Sequence, residues 1–473
     1  MSEEKNINKD DKESGELIRE MGLVAATAIV VGSMIGSGIF IAPSIMAGLI
    51  ASPGIIFLIW IFAGIFTILG CLSYGELATM YPKAGGQYVF LREAYSPLIA
   101  FLFGWTLFLV IQTGFIAAVS VAFAKYLGIF IPFLSEKNIL FSVSLPFSQT
   151  PFNINWAQVA GIISIMFLTF INTLGVGTGA KVQNISTILK VLAIFLLVFC
   201  AFFSNKGSSQ NLLPLLFPQN QVINMALIAV LAVAMSKALF AYDAWNTVTF
   251  IAEEVKAPEK NLPRSLFAGA LIVMVANALI TLAYFYLIPV NDAASIADNR
   301  IGARASEIIF GGPGIYFISI AILISTFGCN NGLILGGARV FFAMARDKLF
   351  FKSFSQLDSK YKIPKMALYS QAVWASLLTL SGTYSDLLTY TTFASVLFNM
   401  MTVIGVFVLR KKRPNVFRPY KTVGHPFVPL IYILVALLFL IFIIQGDPIN
   451  SLKGLGLVLL GIPVYFFFKK RAT

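Results

Sequence analysis

Residues 32–43 read Gly-Ser-Met-Ile-Gly-Ser-Gly-Ile-Phe-Ile-Ala-Pro, inside an apolar run from Met21 to Ile50. The apolar stretch on either side of Gly36-Ser37-Gly38 is too short to cross a bilayer alone, and the two together are long enough. Glycine costs roughly 1 kcal/mol against alanine in a helix interior, so the pattern predicts a membrane helix broken near its middle. Such a break frees backbone N–H and C=O groups at a depth where only protein, water or a ligand can satisfy them. The second half-helix, expected to begin near Ile39, would point the positive end of its dipole at an anion. A plainer reading also fits these glycines: they let neighbouring helices approach closely.

The rest of the chain sets the class. Hydrophobic residues make up 58% of the 473 positions and charged residues 12%, with 44 Phe against 21 acidic side chains. That composition describes an all-α polytopic membrane protein. A net charge of +13 can signal nucleic acid. Here the basic residues fall in short loops between apolar runs, as the positive-inside rule requires, so no nucleic acid is expected. Cys71, Cys200 and Cys329 all lie within apolar segments, which suggests neither a disulfide framework nor a metal site, and no cofactor. An intramembrane enzyme would need a nucleophile, base or metal cluster that the apolar segments lack, so the chain does not read as an enzyme.

Twelve apolar segments can be laid out, near 22–50, 55–76, 98–128, 157–176, 183–204, 222–252, 265–289, 313–345, 367–381, 385–409, 427–445 and 452–468. With the N-terminus inside, most of the Lys and Arg residues face the cytoplasm, including the runs Arg410–Arg413 and Lys469–Arg471. The even number of segments returns the C-terminus to the same side. Residues 1–20 read as a cytoplasmic tail, without a signal-peptide pattern. The sixth segment repeats the oddity of the first: its middle, Phe240-Ala241-Tyr242-Asp243-Ala244-Trp245-Asn246, places a carboxylate in an apolar run. The sixth follows the first at an offset of five spans, an odd number per repeat, so a second copy would be inverted. Interrupted helices at matching positions of inverted halves point to the midplane substrate site of a secondary transporter. The expected units are therefore a five-helix repeat at 21–204, an inverted repeat at 222–409, two further helices at 427–468 and a cytoplasmic tail at 469–473.

Several blocks carry a specific resemblance. "MIGSGIFIAPS" (34–44) resembles the first-helix signature of the amino acid–polyamine–organocation superfamily. "ALFAYDAWNTVTFIAEEVKAPEKNLPRS" (238–265) is similar to the sixth helix and following loop of its L-type amino acid transporter branch. "GELATMYPKAGGQYVFLREAY" (75–95), "AKVQNISTILKV" (180–191), "STFGCNNGLILGGARVFFAMARDKLF" (325–350), "RPYKTVGHPFVPL" (418–430) and "GIPVYFFFKK" (461–470) extend the likeness over nearly the whole chain. The resemblance implies the leucine-transporter fold, with helices 1 and 6 discontinuous, in a multi-pass protein of a bacterial cell membrane. It also implies exchange or uptake of amino acids by alternating access.

An amino acid offers one carboxylate and one ammonium, and two broken helices offer the complement of each. The backbone N–H groups of Ser37, Gly38 and Ile39 suit the carboxylate. Freed carbonyls of Ile35, Phe240, Ala241 and Asp243 suit the ammonium, and the resemblance assigns the matching positions these roles. It also implies that Phe240 is a gate closing over substrate from outside, against the alternative of a packing ring. Lys190, deep in segment five, is a functional candidate by cost of burial. By resemblance it stands where sodium-driven relatives hold the ion, expected near the carbonyls of 32–35 and the hydroxyls of Ser325 or Thr326. Asp243 can pair the ammonium or brace the unwound backbone, and the second is favoured. Asn246 is an amide where the family's cation-handling members tend to carry an acid, which favours small neutral substrates such as Ala, Ser and Thr. Lys237 departs from the family and has no assigned role. Glu253, Glu254, Arg264, Arg339 and Arg346 read as an inner-gate ion-pair lock, and His425 as a loop-packing residue.

The resemblance further implies that a glycoprotein heavy chain would attach through a cysteine in the loop 129–156, which has none, so no disulfide-linked partner is expected. The alternatives are a proton-coupled symporter, a cationic amino acid transporter, and, from another class, a non-transporting amino acid receptor. A receptor would be expected to carry a sizeable soluble output domain, and no loop is long enough to be one.

Overall fold

The computed structural model describes residues 17–143, 152–216, 224–296, 299–381 and 384–472. Most of the expected tail 1–20, the middle of the loop 129–156, the first residues of segment six and residue 473 lie outside these ranges.

The first apolar run forms two helices, α1 (Leu23–Met34) and α2 (Gly38–Leu49), separated by three non-helical residues. The second begins one residue earlier than the sequence suggested, because Gly38 itself takes the first helical position. Next come α3 (Pro53–Met80), started by Pro53 and the Ser52 hydroxyl that accepts from Ile55 N–H, and the short α4 (Gln87–Ala94). α5 (Pro97–Phe130) carries a π turn at Leu107–Ile111. An antiparallel hairpin, β1 (Ile139–Val143) with β2 (Phe152–Asn155), is a small departure from an all-helical chain. A reciprocal Asn155–Gln158 capping box then starts α6 (Trp156–Asn172), followed by α7 (Val176–Phe203).

Segment six divides into α8 (Met225–Tyr242) and the single turn α9 (Thr247–Phe250). α10 (Pro258–Leu287), two short helices α11 (Val290–Ala294) and α12 (Ile301–Phe310), and the long α13 (Gly314–Arg346) follow. The chain ends with α14 (Lys365–Ser381), α15 (Tyr384–Lys412), α16 (Phe427–Gly446), α17 (Pro448–Leu459) and α18 (Gly461–Ala472). The last apolar segment is thus two pieces where the sequence suggested one.

Among the described residues, ten helices, with α1–α2 and α17–α18 each taken as one, are long and apolar enough to cross a membrane. α6 and α14, of seventeen residues each, occupy the expected fourth and ninth segments. The outward faces are apolar: Ile185, Ile188, Leu192, Leu196 and Phe199 on α7 are all exposed, as are Leu430, Leu434, Leu437 and Ile441 on α16. Patches of this extent suit acyl chains, not water. The interrupted helix sits at the centre. α1 packs on α7, α10 and α13, and α2 packs on α8. Phe468 rings lie 5.8 Å from Phe350 and 5.3 Å from Phe351, Arg346 reaches Glu253, and Met21 bridges Val255. Both described chain ends therefore share one end of the bundle.

Candidate functional site

The two breaks meet. Gly38 faces Ala241 so closely that a Cβ at 38 would stand 2.7 Å from Ala241 Cβ and 3.1 Å from its Cα. Gly32, six residues earlier on α1, lies against α7, where a Cβ would fall 2.0 Å from Gln183 Nε2. The glycines of this stretch therefore serve both readings: Gly32 allows close helix packing, and Gly38 lets the unwound segments touch.

On the first broken helix, Phe40 N–H bonds to Ser37 O at 3.1 Å and is the first to bond back. No acidic residue lies in the first turn of α2 and no side chain caps it. The N–H groups of Gly38 and Ile39 thus precede the hydrogen-bonded ladder at the positive end of the helix dipole. On the second, α8 ends as Asp243 N–H bonds Phe240 O at 3.2 Å, and Ala244 takes a left-handed φ of +65°. Alanine is uncommon there, at about 1–3 kcal/mol of strain. The Asp243 carboxylate holds that turn, accepting from Ala244 N–H at 2.6 Å.

Two small cavities flank this turn. One is lined by Ser37, Gly38, Phe115, Phe240, Ala241 and Asp243, with Cys329 and Leu333 behind. The other is lined by Gln87, Gln112, Phe115, Asp243, Asn246 and Ser395, among others. Each leaves about 10 Å³ for the centre of a water molecule, so an amino acid enters only when the walls part. Phe240 stacks on Phe115, centroids 4.7 Å apart, and both rings line the first cavity.

Ile35 and Ile39 line neither cavity. The Ile35 carbonyl, expected toward the substrate ammonium, already accepts from Lys190 Nζ at 2.7 Å and from Ser325 Oγ at 3.2 Å. Lys190, 1% exposed, completes its ammonium with Gly32 O at 2.9 Å and Ser325 O at 2.8 Å. The oxygen from α13 is thus a carbonyl, while the Ser325 hydroxyl bonds the unwound backbone and Thr326 Oγ1 bonds its own helix at Ile322 O. All three lysine contacts are acceptors, matching the three donors of an ammonium.

Asn246 donates to Gln87 Oε1 at 2.7 Å and to Asn399 Oδ1 at 3.3 Å. Gln87 continues to Thr402 Oγ1 at 3.0 Å, and Tyr74 OH reaches Asn399 at 2.7 Å. Sequence reasoning missed Gln87, Gln112, Phe115, Ser395 and Asn399. The one local signal is the π turn ahead of Gln112 and Phe115, since such turns re-aim the residues that follow, and it is not readable in the sequence.

Toward the chain ends the site is sealed. Glu254 and Arg339 pair at 2.8 Å with side chains 1% and 0% exposed. Glu254 O accepts from Glu20 and Met21 N–H, both at 3.1 Å, and Lys256 N–H bonds Met21 O at 2.8 Å. Glu253 accepts from Ala84 N–H at 3.0 Å and from Arg346 at 3.4 Å. Arg264 stands apart from this lock, in a surface recess. Glu76 belongs to a second cluster with Arg410 and Arg418. The His425 ring packs at a tilt against Phe407, centroids 5.0 Å apart. Partial burial, then the Arg410 charge, lowers its pKa from the ordinary histidine value.

Two interrupted membrane helices, packed break to break around a closed central site, define a polytopic membrane protein of the permease class. The chain belongs to the amino acid permease family, whose model matches residues 21–454. It is 29% identical over 472 residues to b(0,+)-type amino acid transporter 1 of Mus musculus, covering 98% of this chain and 91% of the relative. It is 30% identical over 465 residues to the serine/threonine exchanger SteT of Bacillus subtilis (strain 168), covering 97% and 99%. It is also 30% identical over 452 residues to large neutral amino acids transporter small subunit 2 of Homo sapiens, covering 95% and 80%.

Proposed function

We propose that the protein is a sodium-independent exchanger of small neutral L-amino acids (alanine, serine, threonine) that works by alternating access. The observation that carries this reading is the meeting of the two breaks at Gly38 and Ala241, beside N–H groups suited to a carboxylate. The similarity to a serine/threonine exchanger over nearly both full lengths supports the substrate class and the antiport mode. In this reading Ser37, Gly38 and Ile39 bind the carboxylate, Ala241 O and the Asp243 region receive the ammonium, and Asn246 closes the side-chain end. Lys190 stands in for sodium. The repeats are 21–204 and 222–409 in a twelve-helix leucine-transporter fold, helices 11 and 12 follow, and both termini face the cytoplasm. No disulfide-linked heavy chain is needed.

Proteoliposomes preloaded with unlabelled serine should take up labelled alanine, serine or threonine rapidly, and empty vesicles should not. Replacing sodium by choline should leave the rate unchanged, as should imposing a pH gradient. Uptake into empty vesicles driven by outside acid would instead establish proton symport. Competition by arginine or lysine without competition by alanine would reassign Asp243 to a cationic substrate.

Phe240→Ala tests the gate. The Phe240–Phe115 stack contributes about 0.5–1.5 kcal/mol beyond its buried area. Its loss should raise labelling of Cys329 by a water-soluble maleimide about threefold to tenfold, by the same stacking figure. Peptide mapping locates the label, and unchanged labelling would make Phe240 a packing ring.

A further inference from the structure

α10 carries a charged end and an apolar stripe on one face. Lys260, Arg264, Phe267, Leu271 and Val275 follow at steps of three or four residues, the spacing that aligns side chains on a helix. Lys260 and Arg264 are exposed, and Phe267, Leu271 and Val275 are 42%, 37% and 40% exposed on a helix long and apolar enough to span the membrane. At the charged end, both cations line a recess of about 580 Å³ together with Leu72, Pro263, Tyr420 and Val423. Neither cation has an ion pair among the described residues. Glu259 is on the same rim, so the recess keeps a net positive charge.

The recess is a built feature. Its far wall, the loop before α16, is tied to α3 where Glu76 accepts from Thr422 N–H at 2.8 Å and Thr422 Oγ1 at 2.9 Å. The Tyr420 ring packs so near Gly75 that a Cβ there would be 2.9 Å from it. The recess lies at the end of the bundle that holds the chain ends, and the apolar stripe of α10 runs from it toward the middle of the helix.

We propose that this recess binds one anionic phospholipid, its phosphate between Lys260 and Arg264 and its acyl chains along Phe267, Leu271 and Val275. Cations at a membrane surface attract anionic headgroups, and the stripe gives the tails a matching apolar track. A soluble anion would use the cations and leave the stripe idle.

Native mass spectrometry of the full chain, titrated with equal amounts of phosphatidylglycerol and phosphatidylcholine, tests this. One phosphatidylglycerol should be retained in preference to phosphatidylcholine. Lys260→Gln combined with Arg264→Gln should weaken that retention roughly thirtyfold, with elution volume and melting temperature unchanged. Phe267→Ser should weaken it with no change of charge, and Lys411→Gln with Lys412→Gln, a charge loss elsewhere at the same end, should leave it intact. Glycerol 3-phosphate should not displace the lipid. Wild-type retention in the Lys260/Arg264 double variant, equal retention of both lipids, or displacement by glycerol 3-phosphate would overturn the site. The readout contains no amino acid, so it stands or falls apart from transport.

Discussion

Lys190→Ala is expected to lose at least about a hundredfold of exchange while the protein still elutes as a folded monomer or oligomer of unchanged size. A hydrogen bond to a charged group contributes about 1.5–3 kcal/mol, so losing two such bonds reaches that factor. Lys190 makes three, to Gly32 O, Ile35 O and Ser325 O. Gly32 and Ile35 flank the end of α1 and Ser325 lies on α13, so the ammonium ties the broken helix to the other half of the molecule. Without it the carbonyls at the break lose their charged donor, and the geometry presented to substrate loosens. Alanine binding should weaken without vanishing, since the substrate N–H groups at 37–39 remain. Lys190→Met, which fills the volume without the charge, should behave like alanine. Full exchange in Lys190→Ala, or wild-type exchange that stops when choline replaces sodium, would show that this lysine is not the internal cation.

The sequence carried the breaks more legibly than the walls around them. Gly36-Ser37-Gly38 weakens a helix by composition alone, and Asp243 in an apolar run announces the second break; the helix boundaries at Met34, Gly38 and Tyr242 follow. Lys190 was legible for the same reason, because an ammonium in an apolar helix must find oxygens. Two of those oxygens, the carbonyls of Gly32 and Ile35, lie in the stretch the sequence pointed to, and the third is the carbonyl of Ser325 where its hydroxyl was expected. Ile35, the first residue past the end of α1, gives its carbonyl to Lys190 of α7 and Ser325 of α13, and nothing in the local sequence announces that it is already taken. Gln87, Asn399 and Thr402 look like ordinary polar residues until two separate helices, α4 and α15, join them in one network with Asn246. The interruption of the last segment had a signal that went unread. Pro463 removes a backbone donor and crowds the carbonyl of Leu459, which is where α17 ends.

Gly38→Val is expected to abolish alanine binding while leaving a folded, detergent-stable protein. A valine Cβ would stand 2.7 Å from Ala241 Cβ and 3.1 Å from Ala241 Cα. The nearer atom is a methyl fixed to backbone and the second is backbone itself, so neither can swing aside. The unwound segments must separate, and the added methyls then occupy the space in front of the Gly38 and Ile39 N–H groups where a carboxylate would sit. Gly38→Ala brings the same Cβ without the branch. Overpacking of this kind costs about 1–3 kcal/mol, enough to weaken binding about tenfold or more. Its partner change separates packing from ligand binding. Ala241→Gly removes the methyl that Gly38→Ala would strike, so the double variant should regain most of the lost affinity. Gly38→Val with Ala241→Gly should stay inactive, because the valine branch still covers the N–H groups. Binding of labelled alanine to the purified protein, with melting temperature measured alongside, reads all four. Wild-type affinity in Gly38→Val would remove the carboxylate site from this stretch, and failure of Ala241→Gly to rescue Gly38→Ala would mean that the contact between the two breaks is not what the glycine protects.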